Sequence, residues 1–280
     1  MPIPFLSPRR LQLAALLSVL SLAPASAQLS LEGASADYVR GLAAAVPAPA
    51  APSAAETYPD FEQDRKPSSL VSENGGERVL GGVRFDRDSA TGVYGWGELK
   101  LADAGLEEAY WGFKSGGVGH SFLLFRFKDG AGDSAGRAVS GVVFEVLPWK
   151  KKGESFEPFT AGLAGHYPLV WNVGTFDGFL QTAVERDNAR VDVYPLKISR
   201  EEKLRLLAAA VRAATRDLGG EKYNTFFDSC STNALKVLTE ATGSHFLVGR
   251  TLPSAVVEHL KLRGFLGARE RSDSSNWSRR

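Results

Sequence analysis

Cys230 is the only cysteine in 280 residues. It stands where a polar turn gives way to a helical pattern. Asp228 and Ser229 precede it as candidate N-caps, Ala234, Leu238 and Ala241 recur on its face, and Gly243 marks a C-terminal stop. A thiol in the first turn of a helix feels the positive end of the macrodipole and unpaired N–H groups. Both favour the thiolate and lower the thiol pKa from ~8.5 toward neutrality. The thiolate is the nucleophile in covalent catalysis, so this is a fitting place for a catalytic cysteine. Free cysteines also serve as small buried hydrophobes, and position alone leaves both readings open.

A cysteine nucleophile needs a base, usually histidine, within reach and oriented by a third polar group. His120 follows a GGVG loop at residues 116–119 and heads the run SFLLFRF at 121–127. A side chain at the mouth of a strand is well placed to meet a cleft. His166 lies in a turn-rich loop, His245 follows the far end of the Cys230 helix, and His259 sits on a late helix as a surface residue. No C-x-x-C or H-x-x-x-H spacing suggests zinc, no G-x-S-x-G suggests a serine elbow, and the glycine loop lacks a phosphate-binding lysine. Neither metal nor cofactor is expected.

The elements that must position these groups are readable in outline. Residues 1–27 read as a secretory signal peptide: Arg9 and Arg10, an apolar stretch from Leu11 to Leu22, and an A-x-A site ending at Ala27. The product is expected in the periplasm or outside the cell, with no membrane-spanning segment. Removing those residues, which hold two arginines and no acid, takes the net charge from +1 to −1. That balance gives no sign of nucleic-acid binding. An exported protein with one cysteine has no internal disulfide, and an unpaired thiol there is a liability that reactivity would justify.

Residues 28–70 are rich in alanine and proline and are predicted to be a linker, little ordered apart from a short helix over Tyr38–Val46. Residues 71–268 are predicted to be one α+β domain, and 269–280 a frayed tail. Strands are expected at 79–80, 83–85, 93–96, 108–113, 121–127 and 138–147, the last two as an antiparallel hairpin. Further short strands are expected at 156–160, 169–173 and 190–197. Alternation puts Phe122 and Leu124 on the face of His120, with Leu123, Phe125 and Phe127 opposite. Ser199 and Glu202 form a capping box before a helix with Leu204, Leu207, Val211, Ala214 and Leu218 inside. A last helix follows Pro253, to about residue 263.

Gly119–His120 opening an apolar strand, then ERDNAR at 185–190, VYPL at 193–196, a capped helix, and YNTFFDSC at 223–230 form a recognisable order. It resembles the Lnb N-terminal periplasmic domain family over roughly residues 105–245. The resemblance implies a permuted papain-like (NlpC-type) fold: an antiparallel sheet packed against helices, with the catalytic cysteine at a helix N-terminus and the histidine before it in sequence. The best-known members transfer an acyl chain within or between bacterial lipoproteins. By resemblance, Cys230 is the nucleophile and acyl carrier and His120 the general base and then acid. Gly119, Tyr223 and Asn224, in the same motifs, become candidate substrate contacts. An acyl donor and a lipoprotein or peptide substrate are the implied partners.

Ser229 stands where the family usually has asparagine, and the membrane-spanning region of the lipoprotein acyltransferases is absent. No motif carries the orienting third group. Glu145, on the strand after that of His120, is the candidate, against a half-buried structural glutamate. Two functions follow. One is an exported cysteine-dependent acyltransferase or hydrolase acting on an acyl, amide or ester bond. The other is a non-catalytic periplasmic protein that keeps the fold and binds peptide or lipid; Trp149, Tyr167 and Trp171 are candidates to line its groove, against the reading of core and rim residues of an ordinary domain.

Overall fold

The structure is a computed structural model that describes residues 61–246 and 252–272, apart from 63, 89 and 130. The signal peptide, the short helix over 38–46 and most of the linker lie outside the described residues. Ten strands form a sheet: β1 (Ser69–Asn74), β2 (Glu77–Arg87), β3 (Tyr94–Ala102), β4 (Leu106–Lys114), β5 (His120–Phe127), β6 (Ala131–Asp133), β7 (Gly141–Pro148), β8 (Leu169–Thr175), β9 (Val191–Pro195) and β10 (Glu270–Ser272). Their order is β10-β9-β4-β5-β7-β8-β2-β3-β6, with β1 added on β2. Among the described residues, four α-helices accompany it: α1 (Phe176–Leu180), α2 (Arg200–Thr215), α3 (Cys230–Thr242) and α4 (Pro253–Leu262).

The α+β class follows directly, but the sheet is mixed, not antiparallel throughout. β2 meets β8 in parallel through the single register pair Arg84 and Gly174. Hairpin signals report only neighbours in sequence, and this pairing joins strands more than eighty residues apart. Two local expectations also change. Residues 156–160 form turns, closed by Gly162 N–H to Glu157 O and Ala164 N–H to Thr160 O at 2.8 and 3.0 Å. Order starts before residue 70: Phe61 bridges to Lys151 and packs its ring on Trp149 at 4.7 Å. At the other end, the first residues of the expected tail pair with β9 as β10.

The central strands are apolar on both faces because both faces are covered. On β5, Leu123, Phe125 and Phe127 join a large cluster with Trp111, Phe144, Trp171 and the inner faces of α2 and α3. Phe122 and Leu124 join a second cluster with Tyr110, Val143, Phe179 and Leu180. The split matches the alternation read from the sequence. Trp149, Tyr167 and Trp171 are 8, 1 and 2 % exposed, so they are packed inside and do not line an open groove.

Caps set the ends of the two long helices. Ser199 with Glu202 starts α2, Ser229 with Thr232 starts α3 through a second reciprocal box, and Gly243 ends α3 in the left-handed conformation at φ 69°. At Gly112 on β4, a Cβ would lie 2.1 Å from the ring of Phe122, its register partner on β5. The ring lies where a side chain would stand. Gly112→Ala is therefore expected to destabilise by about 1–3 kcal/mol through overpacking, seen as a lower urea midpoint with an unchanged slope.

Candidate active site

Register brings four polar side chains to one face of the sheet. Glu145 on β7 and Asn172 on β8 are direct cross-strand partners. Leu123 pairs with Phe144, which sets Glu145 beside Phe122 and diagonal to His120. Arg84 on β2 pairs with Gly174, two residues beyond Asn172 and on the same face. The missing side chain at Gly174 makes room for it, since a Cβ there would stand 3.1 Å from Arg84 O and 3.6 Å from its Nε.

The contacts form a chain. His120 Nε2 bonds Glu145 Oε2 at 2.9 Å. Glu145 Oε1 accepts from Asn172 Nδ2 at 2.9 Å and from an Arg84 guanidinium nitrogen at 3.3 Å. Both carboxylate oxygens are thus engaged. Burial alone would push the Glu145 carboxyl up, but the His120 hydrogen bond and the Arg84 charge hold it at about 2. Of the sequence candidates, Glu145 therefore does stand against His120.

Cys230 is the first residue of α3 and 3 % exposed. Ser229 accepts from the Thr232 N–H and fixes the entry of the chain, so the serine in place of the usual asparagine serves as the helix cap. The Ser121 backbone N–H, next to His120, points at the Cys230 sulfur, and Ser231 Oγ lies 3.9 Å from it. Ser231 also donates to Ser121 Oγ at 3.0 Å, which ties α3 to the start of β5. Burial raises the Cys230 thiol, yet the charge and hydrogen-bonding reach of His120 bring it below its ordinary value. The same coupling acts in reverse: burial lowers His120, but the sulfur charge and then Glu145 raise it to about 9. Each group thus favours the charged form of the other. With Nε2 held by Glu145, Nδ1 is the ring nitrogen left to serve the sulfur.

The Tyr223 hydroxyl lies close enough to Cys230 to feel its sulfur and its backbone N–H. Burial, followed by the sulfur charge, pushes its phenol well above the ordinary value. Gly119 brings the chain into His120 at φ 81°, where a Cβ would meet the Phe113 ring at 2.9 Å. Asn224 bonds within its own loop. Its Nδ2 donates to Leu163 O and its Oδ1 accepts from the Phe226 and Phe227 N–H groups at 2.8, 3.0 and 3.1 Å, so it holds the loop before Cys230. His166 pairs with Glu154 away from this cluster.

A cleft of about 260 Å³ opens on the cluster, with Gly119, His120, Glu145, Phe156, Phe179 and Tyr223 among its walls. Cys230 sits just behind His120 and Tyr223. A larger dent of about 400 Å³ by Ala102, Lys128 and Arg200 has neither cysteine nor histidine in its walls. Arg84, Asn172 and Ser121 were not singled out by sequence. Nothing local marks them, because Arg84 and Asn172 meet the site through strand register and Ser121 through the packing of α3 on β5.

The sequence model of one family, described as the Lnb N-terminal periplasmic domain, matches residues 101–261, more than half of the chain. No curated protein and no solved structure matches. The matched span contains His120, Glu145, Asn172, Tyr223 and Cys230 and begins after Arg84. Among the described residues, no helix is long and apolar enough to cross a membrane.

Proposed function

The chain belongs to the Lnb N-terminal periplasmic domain family, and from that premise we propose that it is an exported cysteine-dependent acyltransferase or hydrolase with Cys230 as nucleophile. One observation carries the reading: Cys230 at the helix start is coupled to a histidine whose far nitrogen is bound by a buried carboxylate. A cysteine kept only for packing needs no such partner.

In this mechanism the Cys230 thiolate attacks the carbonyl carbon of an ester, amide or thioester. The carbonyl oxygen gains the charge, next to the Cys230 N–H and the Tyr223 hydroxyl. As the tetrahedral intermediate collapses, the bond to the leaving group breaks and His120 Nδ1–H protonates that group. An acyl-thioester on Cys230 and a neutral imidazole remain. His120 then takes the proton of water or of an acceptor amine or hydroxyl, which attacks the thioester. The C–S bond breaks, and thiolate and imidazolium are restored. Glu145 keeps Nε2 protonated and the ring oriented throughout, as the third member of a triad does. The permuted papain-like arrangement accords with this order of residues. The family's link to lipoproteins makes a lipoprotein or peptide acyl group the natural substrate class.

The test is the rate of iodoacetamide alkylation of Cys230 against pH. The wild type is expected to titrate well below ~8.5, and His120→Ala to return toward that value. A thiol that titrates at its ordinary value in both proteins would remove the nucleophile from the proposal and leave a binding domain that keeps the fold.

A further inference from the structure

We propose that Arg84 is a positioning residue of this site: through the parallel contact of β2 with β8 it holds the Glu145 carboxylate as an anion in the orientation that serves His120. The inference rests on the reading of Cys230 and His120 as a reactive pair and adds a residue supplied from outside the family-matched span.

Arg84 is 3 % exposed, and a buried guanidinium needs a partner. Among the described residues, Glu145 is the one carboxylate it pairs with, at 3.3 Å. Its NH1 donates to Asp64 O at 3.0 Å, and its guanidinium lies over the Tyr94 ring at 5.2 Å. Three elements thus hold it in one pose. The other cations around the cleft have carboxylates of their own. Arg65 and Lys150 pair with Glu62, Lys114 pairs with Asp187, and Arg186 pairs with Asp187 and Asp64. None of them is bonded to Glu145, so its charge is balanced by His120 on one oxygen and Arg84 on the other. Asn172 adds a neutral donor to the same oxygen as Arg84.

The geometry sets the consequence. If Arg84 is replaced by a neutral residue, Glu145 faces burial with only the His120 ring and the neutral Asn172 amide to favour its ionised form. A carboxyl that takes up a proton no longer stabilises imidazolium, and the thiolate loses its counter-charge in turn. The effect passes through Glu145 and reaches the sulfur without any contact between Arg84 and substrate.

The experiment measures the alkylation profile of Cys230 against pH in wild type, Arg84→Met, Arg84→Gln, Glu145→Gln and the Arg84→Met/Glu145→Gln double variant, each checked for folding by circular dichroism. The two arginine variants are expected to move the midpoint up by about one pH unit, which makes alkylation near neutrality roughly tenfold slower. The double variant is expected to match Glu145→Gln with no further shift. Folded arginine variants with the wild-type profile overturn the proposal, as does a further shift in the double variant. Should both single arginine variants fail to fold, the double variant decides by its fold: restored folding supports the pairing, since removing both charges leaves none buried alone, and a double variant that also fails to fold overturns it. An ordinary thiol in the wild type would instead defeat the reactive-pair reading itself, so the two failures are told apart.

Discussion

Replacing Cys230 by alanine is expected to lower turnover of an activated acyl ester by on the order of 10⁴-fold or more, and His120→Ala to cost a similar factor. The two losses should not add, because nucleophile and base act as one unit. The wild type should also accumulate a covalent acyl adduct on Cys230, visible by intact mass, when a poor acceptor slows the second half-reaction. Cys230→Ala cannot form that adduct. His120→Ala should form it slowly, since the thiolate fraction drops with the counter-charge gone. Retention of activity within tenfold by Cys230→Ala would end the covalent mechanism. Neither change is expected to unfold the domain. Cys230 is small, and the capping box at Ser229 and Thr232 that starts α3 does not depend on the thiol.

The other large effect is on stability. Glu145→Ala leaves Arg84 buried without its carboxylate and empties the space between β5 and β8. The expected cost is about 3–5 kcal/mol, read as a shift in the urea midpoint. Glu145→Gln keeps the volume and a hydrogen bond with Asn172 and should cost less. The same carboxylate gives the stability a pH dependence. Its pKa falls from the ordinary 4.5 when unfolded to about 2 when folded. A depressed acid contributes fully above its unfolded value and loses that contribution as pH falls through its folded value. About 3 kcal/mol should therefore fade between pH 4.5 and 2. Glu145→Gln should lack this segment of the curve. Equal acid sensitivity in both proteins would mean that Glu145 is not held as an anion.

The pairing of thiolate with imidazolium is different, and gives the stability little pH dependence near neutrality. A proton that passes from sulfur to ring on folding is neither taken up nor released, so the proton inventory of the two states is the same there. Its signature is reactivity. Alkylation, not melting, is the measurement that sees it.

Much of this protein is determined by the chain alone. The period-two alternation of β5 sends Phe122 and Leu124 to one cluster and Leu123, Phe125 and Phe127 to the other. The caps Ser199, Ser229 and Gly243 set where α2 and α3 start and stop, and so place Cys230 in the first turn. These features are local: they depend on residues within one or two turns or on one strand, and composition reports them. His120 and Glu145 were reachable because they sit on strands that pair in sequence order. What only the tertiary structure decided is the assembly across the sheet. Arg84 reaches Glu145 because β2 docks in parallel on β8 beside Gly174, and Asn172 meets Glu145 by register. Tyr223 comes beside Cys230 because its loop folds back before α3, with Asn224 holding the turn. Such contacts depend on register and strand order, which are set when distant apolar faces are buried together. A pattern read along one chain has no access to that choice.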